Sequence, residues 1–172
     1  MDYRQIIRHI TRFIFYVGVQ VVLLKNLVVF DAAFCFVYIG FLIFLPINTS
    51  RSLAMILGFF LGLTVDIFYD SLGIHAAACV LIGALRPFWL NTLTPQGGYD
   101  TGMSPGLLQM GFGWFSGFTL VVVLVHHFSI FYIETGGFSM FFFTLVKVIS
   151  SAIFTFLVLI LFQLLFNRNR TF

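Results

Sequence analysis

Charge is scarce in this chain. Asp, Glu, Lys and Arg together make up 9% of its 172 residues, where a soluble globular domain carries about a quarter. That shortage excludes an ordinary cytosolic enzyme, a nucleic-acid-binding domain and a disordered protein. Cysteine is scarce as well. Cys35 and Cys79 both sit in apolar runs. They lack the spacing of a zinc site or a redox pair, so they read as small buried apolar residues. Long polar stretches are missing too, and no segment is long enough to form a soluble domain.

What is present is apolar surface. Apolar residues make up 60% of the chain, 25 of them Phe, and the mean hydropathy is +1.07. These values fit an integral membrane protein. One helical span takes roughly 20 residues, so the length holds about six spans and little else. Six apolar segments follow, at about residues 13–30, 32–47, 52–69, 72–90, 106–133 and 138–166. The second is short, and the last two are long enough to tilt or to extend beyond the hydrocarbon. None alternates apolar and polar residues as a barrel wall would. An uninterrupted apolar run that satisfies its own backbone in lipid is a helix. The expected fold is therefore an all-α, six-helix polytopic bundle in one membrane domain. Arg4, Arg8 and Arg12 precede the first run, as in a signal peptide, but no small-x-small cleavage site follows. The run is expected to stay as the first span.

The connections are short, which makes sequential spans antiparallel neighbours. The longest is the Pro- and Gly-containing stretch from Asn91 to Pro105, an irregular loop. Charge suggests the orientation. With the N-terminus inside, Arg4, Arg8, Arg12, Arg51, Arg86, Arg168 and Arg170 are cytoplasmic, and Asp31, Asp70 and Glu134 are outside with Lys25. The positive-inside rule then places both termini in the cytoplasm. The basic strip Arg4, Arg8, Arg12 shares one helix face and suits anionic lipid head groups.

Few side chains suggest chemistry. Asp66 and Lys147 come out at similar depths when counted along spans three and six. That makes an ion pair between them the leading expectation, ahead of a contact with a partner subunit. Asp66 and Asp70 look like half of a carboxylate metal motif, but two acids cannot fill a hard-metal site. Gly102-x-Ser104-x-Gly106 has the spacing of a nucleophile elbow without the strand-to-helix turn that an elbow needs. His75, at the start of span four, is within reach of Asp70 across a turn. Gly58 and Gly62, and again Gly113 and Gly117, have the small-x3-small spacing that lets membrane helices approach closely. Ala76 to Ala78, with Gly83, make a small face on span four. No convergent acid, base and nucleophile emerge, so the expectation is a protein without catalytic activity, cofactor or metal.

The stretch from Arg51 to Pro87 is the most distinctive. Gly58 and Gly62 on one helix, Asp66 near its end, the turn Asp70-Ser71, then Leu72-Gly73 and Ala76 to Ala78 resemble the core signature of MreD, the bacterial rod shape-determining membrane protein. Pro46 before the third span fits as well. The resemblance implies a non-enzymatic scaffold of the cell-elongation machinery in the bacterial inner membrane. It further implies MreC as the partner, with MreB, RodA and RodA's partner transpeptidase acting alongside, and no role for nucleic acid. Gly58, Gly62, Asp66, Asp70, Gly73, His75 and Lys147 are then structural or partner-contact residues. The family's six-helix arrangement is similar to the substrate-binding subunits of energy-coupling-factor vitamin transporters. That supplies the alternative, a small-solute binding component of a transporter.

Overall fold

The computed structural model describes residues 3–100, 102–138 and 140–166. The chain is mostly helical. The elements are α1 (Tyr3–Val19), a wider helical turn (Gln20–Leu24), β1 (Val28–Val29), β2 (Ala33–Phe34), a tight turn (Val37–Ile39) and α2 (Gly40–Ile43). They continue with α3 (Arg51–Tyr69), α4 (Ile74–Thr92), α5 (Leu107–Met110), α6 (Phe112–Glu134) and α7 (Phe141–Phe166). Among the described residues five helices are long and apolar enough to cross a membrane: Ile6–Leu24, Arg51–Tyr69, Ile74–Thr92, Phe112–Glu134 and Phe141–Leu165. A polytopic all-α membrane fold follows.

The α3–α4 hairpin is the tightest contact in the molecule, and glycine makes it possible. A Cβ on Gly58 would lie 2.7 Å from the Cys79 carbonyl oxygen, and one on Gly83 2.8 Å from the Ala54 carbonyl. One on Gly62 would run into the backbone of Ala76 and the carbonyl of His75. The helix backbones touch, and no larger residue fits without moving one of them. Gly113 and Gly117 share the spacing but have nothing within 4 Å, so the expected second close-approach face does not form.

The segment at 32–47, expected as a helical span, is not one. After β1 the chain turns at Phe30 and Asp31, both at positive φ (53° and 54°), and returns antiparallel as β2 with Val29 opposite Ala33. Its only α-helix is the single turn of α2. The segment nonetheless runs alongside α6 over most of that helix. Phe34 packs on Phe131 at one end and Phe44 stacks on Phe115 at the other, a separation of about 24 Å at about 1.5 Å per residue. Beyond it, Ile47 N–H donates to the Met103 carbonyl at 2.8 Å.

Residues 35 to 45 are all buried, and burial in protein is the condition under which irregular backbone is tolerated at membrane depth. Side chains of neighbouring helices replace the missing helical hydrogen bonds. Phe34 N–H donates to Ser151 Oγ (2.9 Å), Phe36 N–H to Thr155 Oγ1 (3.0 Å) and Tyr38 N–H to Gln20 Oε1 (3.4 Å). Gln20 Nε2 donates to the Cys35 carbonyl (2.9 Å), and Arg86 Nη2 to the carbonyl of Leu45.

Other boundaries shift as well. The first helix begins earlier than residue 13 and leaves helical geometry after Leu24, because the hairpin takes up Val28 to Phe34. The fifth segment is broken at Gly111 (φ 77°) into α5 and α6. Arg86, counted among the charges of the cytoplasmic side, lies buried inside the bundle at 1% exposure. Arg168 and Arg170 lie outside the described residues, as does the side chain of Arg4. Arg8 is exposed and Arg12 half-buried on α1.

Candidate functional site

Asp66 organises the junction where α3 ends and α4 begins. Helix α4 starts after Gly73, which has no side chain to cap it. Asp66, reaching across from α3, does this instead. Its carboxylate accepts His75 N–H (3.0 Å) and Ala76 N–H (2.9 Å), two of the four orphan donors at the helix start. A negative charge there also favours the helix dipole. The Ser71 hydroxyl donates to Asp66 Oδ1 at 2.6 Å, and His75 Nδ1 lies 3.0 Å from the same oxygen. Asp70 is exposed and ends α3 in the left-handed region (φ 52°). Thus His75 bonds Asp66 and not Asp70, which corrects the expectation.

The Asp66–Lys147 pair is corrected too. Lys147 Nζ stands over the rings of Phe34 (5.2 Å), Phe143 (5.6 Å) and Phe131 (5.7 Å). The His75 ring, bonded to Asp66, packs on Phe36 at 5.5 Å, and Phe36 N–H bonds Thr155. Among the described residues Asp66 has its ion pair with His75 at 3.0 Å, and Lys147 makes none with it. The Asp66 oxygens are taken by Ser71, His75 and two backbone amides, partners that depth counted along a span does not reveal.

Ser71, His75 and Asp66 include the residue types of a catalytic triad, but not its geometry. The same ring nitrogen faces both Ser71 Oγ (2.9 Å) and Asp66, and the serine proton is already given to Asp66. A relay needs the serine on the opposite nitrogen. Among the described residues no three His, Cys, Asp or Glu side chains are placed to hold a metal ion.

Behind the cap lies a polar and aromatic cluster around Phe36 that sequence reasoning missed. Tyr38 OH bonds His126 Nε2 at 2.8 Å. Gln20 Nε2 donates to Tyr69 OH at 2.7 Å. His127 Nδ1–H donates to the Val123 carbonyl (2.8 Å), which leaves Nε2 to accept from the Thr155 hydroxyl (3.1 Å). Gln20, His126, His127 and Thr155 are wholly buried. Their polarity inside otherwise apolar runs was the available signal, since polar groups in a membrane segment face the protein interior.

Two grooves open on the outside of the bundle. One, of about 570 Å³, runs between α3 and α4 past Phe59, Leu63, Ala76 and Val80. The other, of about 670 Å³, runs between α4 and α6 past Ala78, Val125, Phe128 and Tyr132. Both are lined almost wholly by apolar side chains. No known family matches the chain, and no curated protein or solved structure does.

Proposed function

We propose that this chain is a non-enzymatic membrane scaffold of the bacterial cell-elongation machinery, an MreD-type protein of the inner membrane. Its partner is MreC, and it acts beside MreB, RodA and RodA's transpeptidase. The observation that carries the reading is the α3–α4 unit. Gly58 and Gly62 make the backbone contact, Asp66 caps α4, Asp70 ends α3, and Gly73 and Ala76 begin α4. The residues on which the resemblance rests thus belong to one structural joint. A ligand or catalytic motif would aim some of its members at a cleft.

In this reading the chain crosses the membrane six times, five times as a helix and once through the broken segment around α2. Both termini are cytoplasmic, and Arg8 and Arg12 contact anionic lipid. The energy-coupling-factor-like alternative is favoured by one observation, the polar and aromatic cluster in the outer half. Those side chains bond one another, and the open grooves are apolar, which supports the scaffold instead. A solute site needs convergent polar groups in a cavity. The test is a pull-down from native membranes with identification of the co-purifying proteins. MreC and elongation proteins are the expected result. Recovery of a transporter ATPase pair would reverse the assignment.

A further inference from the structure

Arg86 is the one buried charge among the described residues that its surroundings leave largely unmatched. It sits in the C-terminal half of α4 at 1% exposure. One nitrogen, Nη2, donates to the Leu45 carbonyl just beyond α2. Nε and Nη1 are buried and meet no acceptor. A guanidinium does not shed its proton, and a buried charge without a partner is strongly unfavourable. No carboxylate of the described residues stands within ion-pair distance of it. Asp66 is engaged at the α3–α4 junction, and Asp31, Asp70, Asp100 and Glu134 are exposed.

Helix α6 brings hydroxyls to the same level. Two contacts fix its register against α4: Cys79 Sγ to His126 Nε2 at 4.0 Å, and Trp114 Nε1 donating to the Leu93 carbonyl at 2.7 Å. These bracket Arg86 and place it level with residues 119–121. Thr119 is wholly buried, and its Oγ1 has no partner. Ser116, one turn below on the same helix face, also has a buried hydroxyl without a partner. The stacked rings of Phe44 and Phe115, 6.1 Å apart, close the neighbouring space.

We infer that Arg86, Thr119 and Ser116 form an internal site for one small monovalent inorganic anion. A fixed cation beside two hydroxyl donors, in apolar surroundings, makes strong charge-assisted hydrogen bonds to such an ion. The burial of Arg86 and Thr119 excludes a lipid head group and restricts the occupant to an ion of about halide size. The site is independent of the scaffold assignment.

Chloride is the probe. The full chain in detergent is melted in sodium chloride and in sodium gluconate at equal ionic strength, which cancels general screening. The expected result is a melting temperature several degrees higher in chloride, saturating with concentration. Equal melting in the two salts overturns the proposal. Thr119→Val keeps the guanidinium and should raise the half-saturating chloride concentration about tenfold. Arg86→Met should abolish the chloride effect. If Arg86→Met does not fold, Thr119→Val decides alone. A chloride effect undiminished in the folded variants places the ion elsewhere and refutes the assignment.

Discussion

Two parts of this molecule run through the bundle in opposite ways. The α3–α4 hairpin closes its hydrogen bonds within each helix and uses glycine to bring the two backbones together. The segment around α2 leaves several backbone groups without a partner along the chain and has them matched by Ser151, Thr155, Gln20 and Arg86 from other helices. The first solution is local and depends on the absence of side chains. The second is non-local and depends on a few polar side chains at particular depths. Each should fail in its own way.

The hairpin should break most severely. Gly62→Leu drives a side chain into the α4 backbone and should cost about 3 kcal/mol or more, read as loss of the folded, monodisperse species in detergent. Gly113→Leu has open space and should stay within about 0.5 kcal/mol of the parent. Equal damage at both would mean that the close contact lies elsewhere. The broken segment comes next. Thr155→Val leaves Phe36 N–H and His127 Nε2 without a partner and should cost about 2 kcal/mol, measured by chemical unfolding. The same change at Thr64, whose hydroxyl bonds only the Phe60 carbonyl of its own helix, should cost little.

The cap should be milder. Asp66→Asn retains an acceptor oxygen but loses the charge, and should cost about 1 kcal/mol, with faster amide exchange at Ala76. The smallest effect sharpens the correction to the ion pair. In a double-mutant cycle with Lys147→Met the two changes should add, with a coupling below about 0.5 kcal/mol. A larger coupling would restore the pair.

The membrane class and the hairpin were legible in the sequence because their signals are local. A long apolar run means a span, and Gly-x3-Gly followed by Asp and a short turn means two helices in contact. The segment around α2 was not legible. An all-apolar stretch such as Phe34 to Leu45 looks the same whether it is a helix in lipid or irregular chain inside protein. What decides between them is Gln20, Ser151 and Thr155, which are far away in sequence. Gly117 shows the converse limit, since spacing alone does not say what lies opposite. The site divides in the same way. Asp66 stood out as a charge at depth, but its partners are backbone amides, which no side-chain pattern displays. His126 and Thr155 were overlooked because each matters only beside Phe36 and Tyr38.

In the proposed topology the chain crosses the membrane between Asp31 and Thr49 without a spanning helix. This crossing is tested most directly by single cysteines at those two positions in intact cells, probed with a membrane-impermeant thiol reagent. The native Cys35 and Cys79, at 1% and 0% exposure, should stay silent. Asp31→Cys should be labelled from outside, and Thr49→Cys only after the membrane is opened. If both positions are labelled from the same side, the segment turns back within the membrane and the account is contradicted.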